Sequence, residues 1–153
     1  MDSFYPLNEG RLIPKNAVAA LIKVDNESYL CQQRDNKSGL FYPNHWGLFG
    51  GAVESNENAL KAIKRELYEE LGIAFESVSY FTEFTFDFTY MNLGKVWRKY
   101  FKINISKIKL DEIILGEGQN FKTFYTKDIL VKSNVVPYDK FAIWLNEKDL
   151  LDE

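Results

Sequence analysis

Residues 51–73 read GAVESNENALKAIKRELYEELGI, and this stretch carries the clearest helical pattern in the chain. Its apolar side chains recur at spacings of three and four: Leu60, Ile63, Leu67 and Leu71. That spacing is typical of one buried face of an α-helix. Ser55 or Asn56 can cap the start, with Glu57 in the first turn, and Gly72 is placed to end the helix. We therefore predict an amphipathic helix over 56–71.

Short β-like segments lie on both sides of this helix. Turn-forming residues at 25–27 and 92–94 join two pairs of these segments into predicted hairpins. Strands are predicted at 17–24, 28–34, 80–90, 96–105 and 121–125, with a short apolar segment at 46–49 and a second helix at 138–146. Strands before and after a central helix favour a mixed α+β fold. A length of 153 residues favours one domain over 1–153.

Composition excludes several classes of protein. The 19 Lys and Arg against 22 Asp and Glu leave a net charge of −3, which gives no overall basic field for a nucleic-acid polymer or an anionic membrane. No apolar run approaches the roughly 18 residues that span a bilayer, and the first residues lack the pattern of a secretion signal. The one cysteine, Cys31, excludes an internal disulfide. We expect a cytoplasmic protein that acts on a small molecule.

The polar side of the 56–71 helix carries an unusual concentration of carboxylates. Glu66 and Glu70 lie about 40° apart around the helix axis, with Glu69 about 60° to the other side of Glu66. Like charges this close are unfavourable unless a cation neutralises them, and Mg²⁺ or Mn²⁺ prefers such oxygen ligands. The alternative is a solvated helix face in which Arg65 pairs with Glu69.

The full pattern over 51–73 favours the metal-binding interpretation. Its fixed positions are Gly51, Glu57, Arg65, Glu66, Leu67, Glu69, Glu70, Gly72 and Ile73. Together they resemble a complete Nudix box, the motif of MutT-like Nudix hydrolases. The preceding 46–51 segment, WGLFGG, resembles the Trp-x-x-Pro-Gly-Gly sequence that leads into that box. Phe49 stands where proline is commoner, a change that we expect to alter loop geometry more than chemistry.

This resemblance implies a fold and a chemistry. The fold is an α/β/α sandwich with a mixed β-sheet, and the reaction is metal-dependent hydrolysis of a diphosphate linkage in a nucleoside diphosphate derivative. By analogy, Mg²⁺ or Mn²⁺ would be held by the Gly51 carbonyl together with Glu66, Glu69 and Glu70. The resemblance assigns Glu57 and Arg65 the task of orienting the metal site. Glu66 is our candidate for the base that takes a proton from the attacking water.

Two residues outside the box are further candidates. Glu117 lies between Gly116 and Gly118 in a predicted loop, and its setting resembles the place where some family members supply another metal ligand or base. An ordinary acidic turn is the alternative. Arg34, at the end of a predicted strand, resembles the family's phosphate-binding arginine, which would make it a substrate-binding residue.

Other residues have simpler interpretations. Cys31 is expected to be a buried apolar side chain, and His45 a surface or hydrogen-bonded residue. The cluster Lys95, Arg98 and Lys99 is expected to be a solvated strand edge, although one member could contact an anionic substrate. We expect core packing for Phe84, Phe86 and Phe88. Rings that could stack on a base are Phe4, Tyr5, Phe41 and Tyr42.

The substrate is left open between nucleoside triphosphates, oxidised ones included, and nucleotide sugars. Each would yield a nucleoside monophosphate and a phosphate-bearing product, and the chain length favours triphosphates. A Nudix-fold sensor or interaction domain without turnover is the alternative function. Isoprenoid diphosphate isomerase chemistry would need a catalytic cysteine, and Cys31 in a strand is a poor match. The ring-rich composition also permits a homodimer.

Overall fold

One mixed β-sheet organises the protein in the computed structural model, which describes residues 13–37 and 39–151. Its strands are β1 (Ala17–Val24), β2 (Ser28–Gln33), β3 (Trp46–Gly47), β4 (Phe49–Ala52), β5 (Ser79–Asp87), β6 (Lys95–Ile105) and β7 (Asn120–Tyr125). The main path runs β3-β2-β1-β6-β5, with β4 paired to β1 and β7 to β2. Since β1 and β6 are parallel and the other pairs antiparallel, the sheet is mixed as predicted.

Helices cover both faces of this sheet, and β1 is therefore buried on both sides. They are α1 (Ala59–Leu71), α2 (Thr126–Val131) and α3 (Pro137–Leu151). Successive side chains of a strand point to opposite faces. Val18, Ala20 and Ile22 accordingly pack in the core that α1 closes. Ala19 and Leu21 lie in a second core with side chains from α2 and α3. The result is the expected sandwich of helix, sheet and helix.

Helix α1 begins later than the sequence pattern predicts. Asn58 is the N-cap, and its side chain accepts a hydrogen bond from the Lys61 amide at 2.8 Å. Ser55 and Asn56 do not cap, since Asn56 adopts a left-handed turn conformation with φ 65°, and Glu57 precedes the first turn. The C-terminal prediction is confirmed, because Gly72 caps the helix with φ 69°.

The buried face of α1 also differs from the predicted stripe. Leu60 is 44% exposed, and Ala62 is buried in its place beside Ile63 and Leu67. Glu70 is buried on this helix as well, so the acidic patch is not separate from the buried face. The helix is rotated about its axis so that its last turn presents a carboxylate to the sheet.

Several element boundaries depend on tertiary contacts. The 46–49 segment is split at Leu48 into β3 and β4, which pair with different strands. Phe49 is fully buried in the α1 core. The segment 80–90 ends as a strand at Asp87, and helix α2 was not anticipated.

Two of the simpler interpretations hold. Cys31 is buried within β2, and the His45 Nδ1 lies 2.9 Å from the Pro43 carbonyl oxygen. Phe4 and Tyr5 lie outside the described residues. Over 13–37 and 39–151, no helix is both long enough and apolar enough to cross a membrane.

Candidate active site

Arg65 is the centre of the acidic cluster, and α1 holds it over the end of β4. Its Nε and Nη2 donate to the two carboxylate oxygens of Glu57 at 2.7 and 2.9 Å. Its Nη1 donates to Glu66 at 3.0 Å and to Glu69 at 3.2 Å. Nη2 also donates to the Ala52 carbonyl at 3.1 Å, which ties the helix to the edge strand. The predicted pairing of Arg65 with Glu69 and Glu57 is therefore present.

Glu70 is anchored differently, through neutral donors. The Gly50 amide donates to its Oε2 at 2.9 Å, and the Gln32 Nε2 donates to its Oε1 at 3.3 Å. The same Gln32 nitrogen lies 3.3 Å from the Leu48 carbonyl, so the amide joins the carboxylate to the chain between β3 and β4. In the described part of the chain, no lysine, arginine or histidine pairs with Glu70. It is a buried carboxylate without a cation.

Close contacts of β4 with α1 and β1 require the two glycines before the cluster. A Cβ at Gly51 would lie 2.5 Å from the Glu66 carboxylate, and a Cβ at Gly50 would lie 2.0 Å from the Val18 carbonyl oxygen. Bare backbone is thus the only way for β4 to lie against both β1 and the carboxylates of α1. This is the physical reason for the Gly-Gly pair ahead of an acidic helix.

Electrostatics distinguishes the carboxylates of the cluster. Burial, with the neighbouring charges of Glu66 and Glu117, raises the pKa of Glu70 to about 8 against the opposing hydrogen bonds from Gly50 and Gln32. Burial also raises the pKa of Glu66, although Arg65 opposes the shift. In contrast, the hydrogen bonds from Arg65 lower the pKa of Glu57 to about 2. Glu57 stays ionised as the counterion of Arg65, whereas the charges of Glu66 and Glu70 repel each other.

The loop that carries Glu117 is seated on the C-terminal end of α1. The Gly116 amide donates to the Glu70 carbonyl at 2.9 Å, and the Ile114 amide donates to the Leu71 carbonyl at 3.0 Å. A Cβ at Gly116 would lie 2.1 Å from the Glu69 carbonyl oxygen, so only glycine allows this contact. Glu117 is exposed, yet its charge is felt by both Glu66 and Glu70. The structure therefore brings this residue to the acidic cluster.

The oxygen atoms of the acidic cluster are the ligand type that a hard divalent cation prefers, but the side chains are not arranged to coordinate one as they stand. Carboxylates of Glu66 and Glu70 and the nearby Gly51 backbone are the oxygen ligands that Mg²⁺ and Mn²⁺ prefer. Among the residues that the structure describes, no group of three or more His, Cys, Asp or Glu side chains is arranged to hold a metal ion as it stands. Arg65 draws Glu66 and Glu69 to itself. Those two side chains would have to turn from the guanidinium to complete a coordination shell.

A cavity of about 710 Å³ adjoins the cluster around the edge strand β4. Its lining includes Gly50, Gly51 and Ala52 on one side and the cations Lys15, Arg34 and Arg98 elsewhere. No Asp or Glu belongs to its described lining, so a positive cavity abuts a negative cluster. Its size falls in the roughly 300–1,000 Å³ range of small-molecule sites.

The cavity corrects two predictions. Phe86 and Phe88 line it and are only partly buried, so they are walls of a pocket and not core side chains; Phe84 does pack against Tyr100 in the core. Arg98 is no solvated edge residue, because it is buried in an ion pair with Asp139 at 3.1 Å. Tyr138 and Asp139 of α3 contact Arg98 and leave its side chain 15% exposed, on the cavity wall.

Three residues outside the box that the sequence analysis singled out also lie at this cavity. Arg34 lines the cavity, and its Nε donates to the Phe41 carbonyl at 2.8 Å. The candidate stacking rings Phe41 and Tyr42 also line it.

Sequence reasoning missed Gln32, Tyr138 and Asp139. A glutamine within the apolar strand β2 was the one available signal, whereas nothing in the sequence marks the other two.

Comparisons with known proteins agree with this geometry. The NUDIX domain family profile matches residues 14–141. The nucleoside triphosphatase NudI of Escherichia coli O139:H28 is 43% identical over 58 residues, which cover 38% of this chain and 40% of that protein. The matched stretch thus spans about two fifths of that relative.

Solved structures extend the likeness over the fold. A MutT protein from Methanosarcina mazei Go1 has a TM-score of 0.72 at 22% identity, covering 93% of this chain and 97% of that one. The Escherichia coli dihydroneopterin triphosphate pyrophosphohydrolase has a TM-score of 0.66 at 18% identity, covering 86% and 94%. At such identities the likeness establishes the fold, while the profile covers most of the chain. The chain belongs to the NUDIX family.

Proposed function

We propose that this protein is a divalent-metal-dependent pyrophosphohydrolase of nucleoside diphosphate derivatives, with nucleoside triphosphates as its first substrate class. One observation carries the proposal: the buried carboxylate of Glu70, without a cationic partner among the described residues, is hydrogen-bonded to Gly50, which lines a basic, aromatic cavity. The cluster suits a cation, and the cavity suits an anion that carries a ring. A nucleotide with its metal satisfies both. The similarity to proteins named nucleoside triphosphatase NudI supports the choice of triphosphates.

The bound metal would supply charge neutralisation of the diphosphate oxygens and activation of a water. Glu66, Glu69 and Glu70 would hold it, with the Gly51 carbonyl and Glu117 as further oxygens. Glu66 would accept the proton of the attacking water.

Two residues would act by positioning. Glu57 would fix Arg65, so that the guanidinium stays in place when Glu66 and Glu69 turn to the metal. Arg34 would bind a phosphate from the cavity side, where a guanidinium can donate two parallel hydrogen bonds.

The test is release of nucleoside monophosphate, followed by anion-exchange chromatography, from a panel of nucleoside triphosphates and nucleotide sugars. We expect turnover with Mg²⁺ or Mn²⁺ that disappears with EDTA and in Glu70→Gln. The matched control is Glu76→Gln, an exposed carboxylate in the loop between α1 and β5, which should retain full activity. If no compound turns over while nucleotides still bind, the protein is a nucleotide sensor and the proposal is wrong.

A further inference from the structure

We propose that Arg98 makes this site selective for nucleobases that present a carbonyl oxygen, as hypoxanthine, guanine, uracil and thymine do, over the amino-bearing adenine and cytosine. The inference rests on the proposed function, because it assigns the base-binding end of the same cavity. It concerns which nucleotide enters and not whether hydrolysis follows.

The strand spacing places Arg98 at a distance from the acidic cluster that a nucleotide can span. Ala17 of β1 is the register partner of both Ala52 in β4 and Arg98 in β6. Neighbouring strands lie about 4.8 Å apart, so the Arg98 backbone is roughly 10 Å from Ala52. Ala52 in turn accepts a hydrogen bond from Arg65. A nucleotide with its phosphates at the cluster would therefore place its base near Arg98.

Aromatic side chains surround Arg98 at this end of the cavity. The rings of Phe86 and Phe88 are nearly parallel, with centroids 6.2 Å apart and an angle of 13° between their planes. Tyr138 meets Phe86 edge-on at 6.2 Å, and the Arg98 guanidinium lies 5.0 Å from the Tyr138 ring centre. Aromatic faces stack on any base, so these walls bind a base without selecting one. Selection requires hydrogen bonds.

Arg98 has donors left for that purpose. Its Nε donates to the Tyr100 hydroxyl at 3.0 Å and to Asp139 Oδ1 at 3.3 Å, and its Nη2 donates to the same oxygen at 3.1 Å. Its Nη1 has no hydrogen-bond partner within the part of the chain that the structure describes. Since the other two nitrogens fix the guanidinium plane, Nη1 offers N–H groups from a preorganised position.

The same network leaves no carboxylate for an amino group. Asp139 is 2% exposed, its Oδ1 accepts from Arg98 and Tyr100, and its Oδ2 accepts from the Leu48 amide at 3.0 Å. The described lining contains no carboxylate and no carboxamide, so tyrosine hydroxyls are its main side-chain acceptors. An exocyclic amine facing the guanidinium would place donor against donor. A carbonyl oxygen would instead complete the network, as arginine does with the guanine O6.

Two pairs of nucleotides isolate this difference. ITP and ATP differ at the purine 6 position, and UTP and CTP at the pyrimidine 4 position, with a carbonyl oxygen in one member and an amine in the other; the adjacent ring nitrogen carries a hydrogen in the oxo member and is an acceptor in the amino member. We expect kcat/KM to favour ITP and UTP by about tenfold to a hundredfold. The monophosphates IMP, AMP, UMP and CMP, titrated calorimetrically in EDTA, should show the same preference in Kd. This binding measurement does not depend on turnover.

Variants test the role of Arg98 itself. Arg98→Lys keeps the charge but loses the planar fork, and the double variant Arg98→Gln with Asp139→Asn keeps the pair neutral if the single change impairs folding. In both the Arg98→Lys variant and the double variant, the ratio of the Kd values for the amino and oxo members should fall towards one. The exposed control Lys122→Gln, on the far strand β7, should keep the wild-type ratio. Equal Kd values for the oxo and amino members of each pair in the wild type would overturn the inference. If the Kd preference is present without turnover of any nucleotide, the inference holds and the proposed hydrolase function fails.

Discussion

Two buried carboxylates, Glu70 in α1 and Asp139 in α3, are the most informative pair of residues in this molecule. Both are almost fully buried, with 3% and 2% of their surface exposed. Asp139 is paired with Arg98 at 3.1 Å and accepts from the Tyr100 hydroxyl at 2.8 Å. Among the residues that the structure describes, Glu70 accepts hydrogen bonds only from the neutral amides of Gly50 and Gln32, and another carboxylate, Glu66, lies nearby.

This difference separates a structural charge from a functional one. Burying a carboxylate is costly unless a cation and hydrogen bonds compensate it. Within the described residues, Arg98 supplies that cation to Asp139, whereas no cation pairs with Glu70, whose pKa is raised to about 8 by burial and by like charge. This is the physical argument behind our proposal that a cation from solution binds here.

The largest expected effect is on stability and comes from Asp139→Ala. Removing this carboxylate leaves Arg98 buried without a counterion, which costs about 3–5 kcal/mol of unfolding free energy. Urea denaturation followed by tryptophan fluorescence measures it. Glu70→Gln should lose far less, and equal losses in the two variants would mean that both carboxylates are structural.

The next effect is on catalysis and belongs to Glu70→Gln. Removal of a preorganised charge from a reaction centre lowers kcat by about 10²–10³-fold. Initial rates of nucleoside monophosphate release at saturating metal measure it, with circular dichroism to verify the fold. Activity within twofold of wild type would remove Glu70 from the metal site.

Metal binding should stabilise the protein through the same residue. At a free Mn²⁺ concentration about 100 times Kd, a ligand specific for the native state adds about 2.7 kcal/mol of stability. Thermal unfolding with and without Mn²⁺ measures the shift in Tm. We expect the shift in wild type and Glu76→Gln and its absence in Glu70→Gln; a shift that survives in the last variant would place the metal elsewhere.

A smaller effect is expected from Gln32→Leu. Gln32 positions Glu70 through one hydrogen bond, and losing such a partner of a metal ligand costs about 10–100-fold in metal affinity. Titration of Mn²⁺ followed by electron paramagnetic resonance measures this affinity directly. Gln32→Glu should be worse still, because it adds a charge beside Glu70, and rescue by that variant would contradict the assigned role.

A further expected effect is a pH dependence of stability in metal-free protein. The folded-state pKa of Glu70 lies above its ordinary value of 4.5, so folding takes up a proton between about pH 4.5 and 8. The contribution of Glu70 is therefore most favourable below that range and is lost as the pH rises through it. Urea unfolding in EDTA should show Glu70→Gln gaining on wild type as the pH is raised from 5 to 8.5, and a constant difference would contradict the shift.

Local patterns predicted most of the fold. The hydrophobic runs located β1 and β6 closely, and Gly72 ends α1 as expected. The predictions were wrong where tertiary packing determines burial. Leu60 has the spacing of the buried stripe, yet its side chain is 44% exposed. In the same way, Phe86 alternates like a core strand residue, yet it lines a cavity, where only the edge-on Tyr138 ring of α3 is recorded against it from a helix among the described residues.

The sequence by itself determined the chemistry available to this protein. Spacing within one helix places Glu66, Glu69 and Glu70 together, and the glycine pair ahead of them permits close approach, because these are local consequences of helix geometry and of missing Cβ atoms. Tertiary structure alone decided which carboxylate is left without a cation and which is neutralised. Arg98 and Asp139 lie on different elements far apart in the chain, and only the packing of α3 on β6 brings them together. Burial and long-range pairing depend on the whole fold, so no local pattern can encode them.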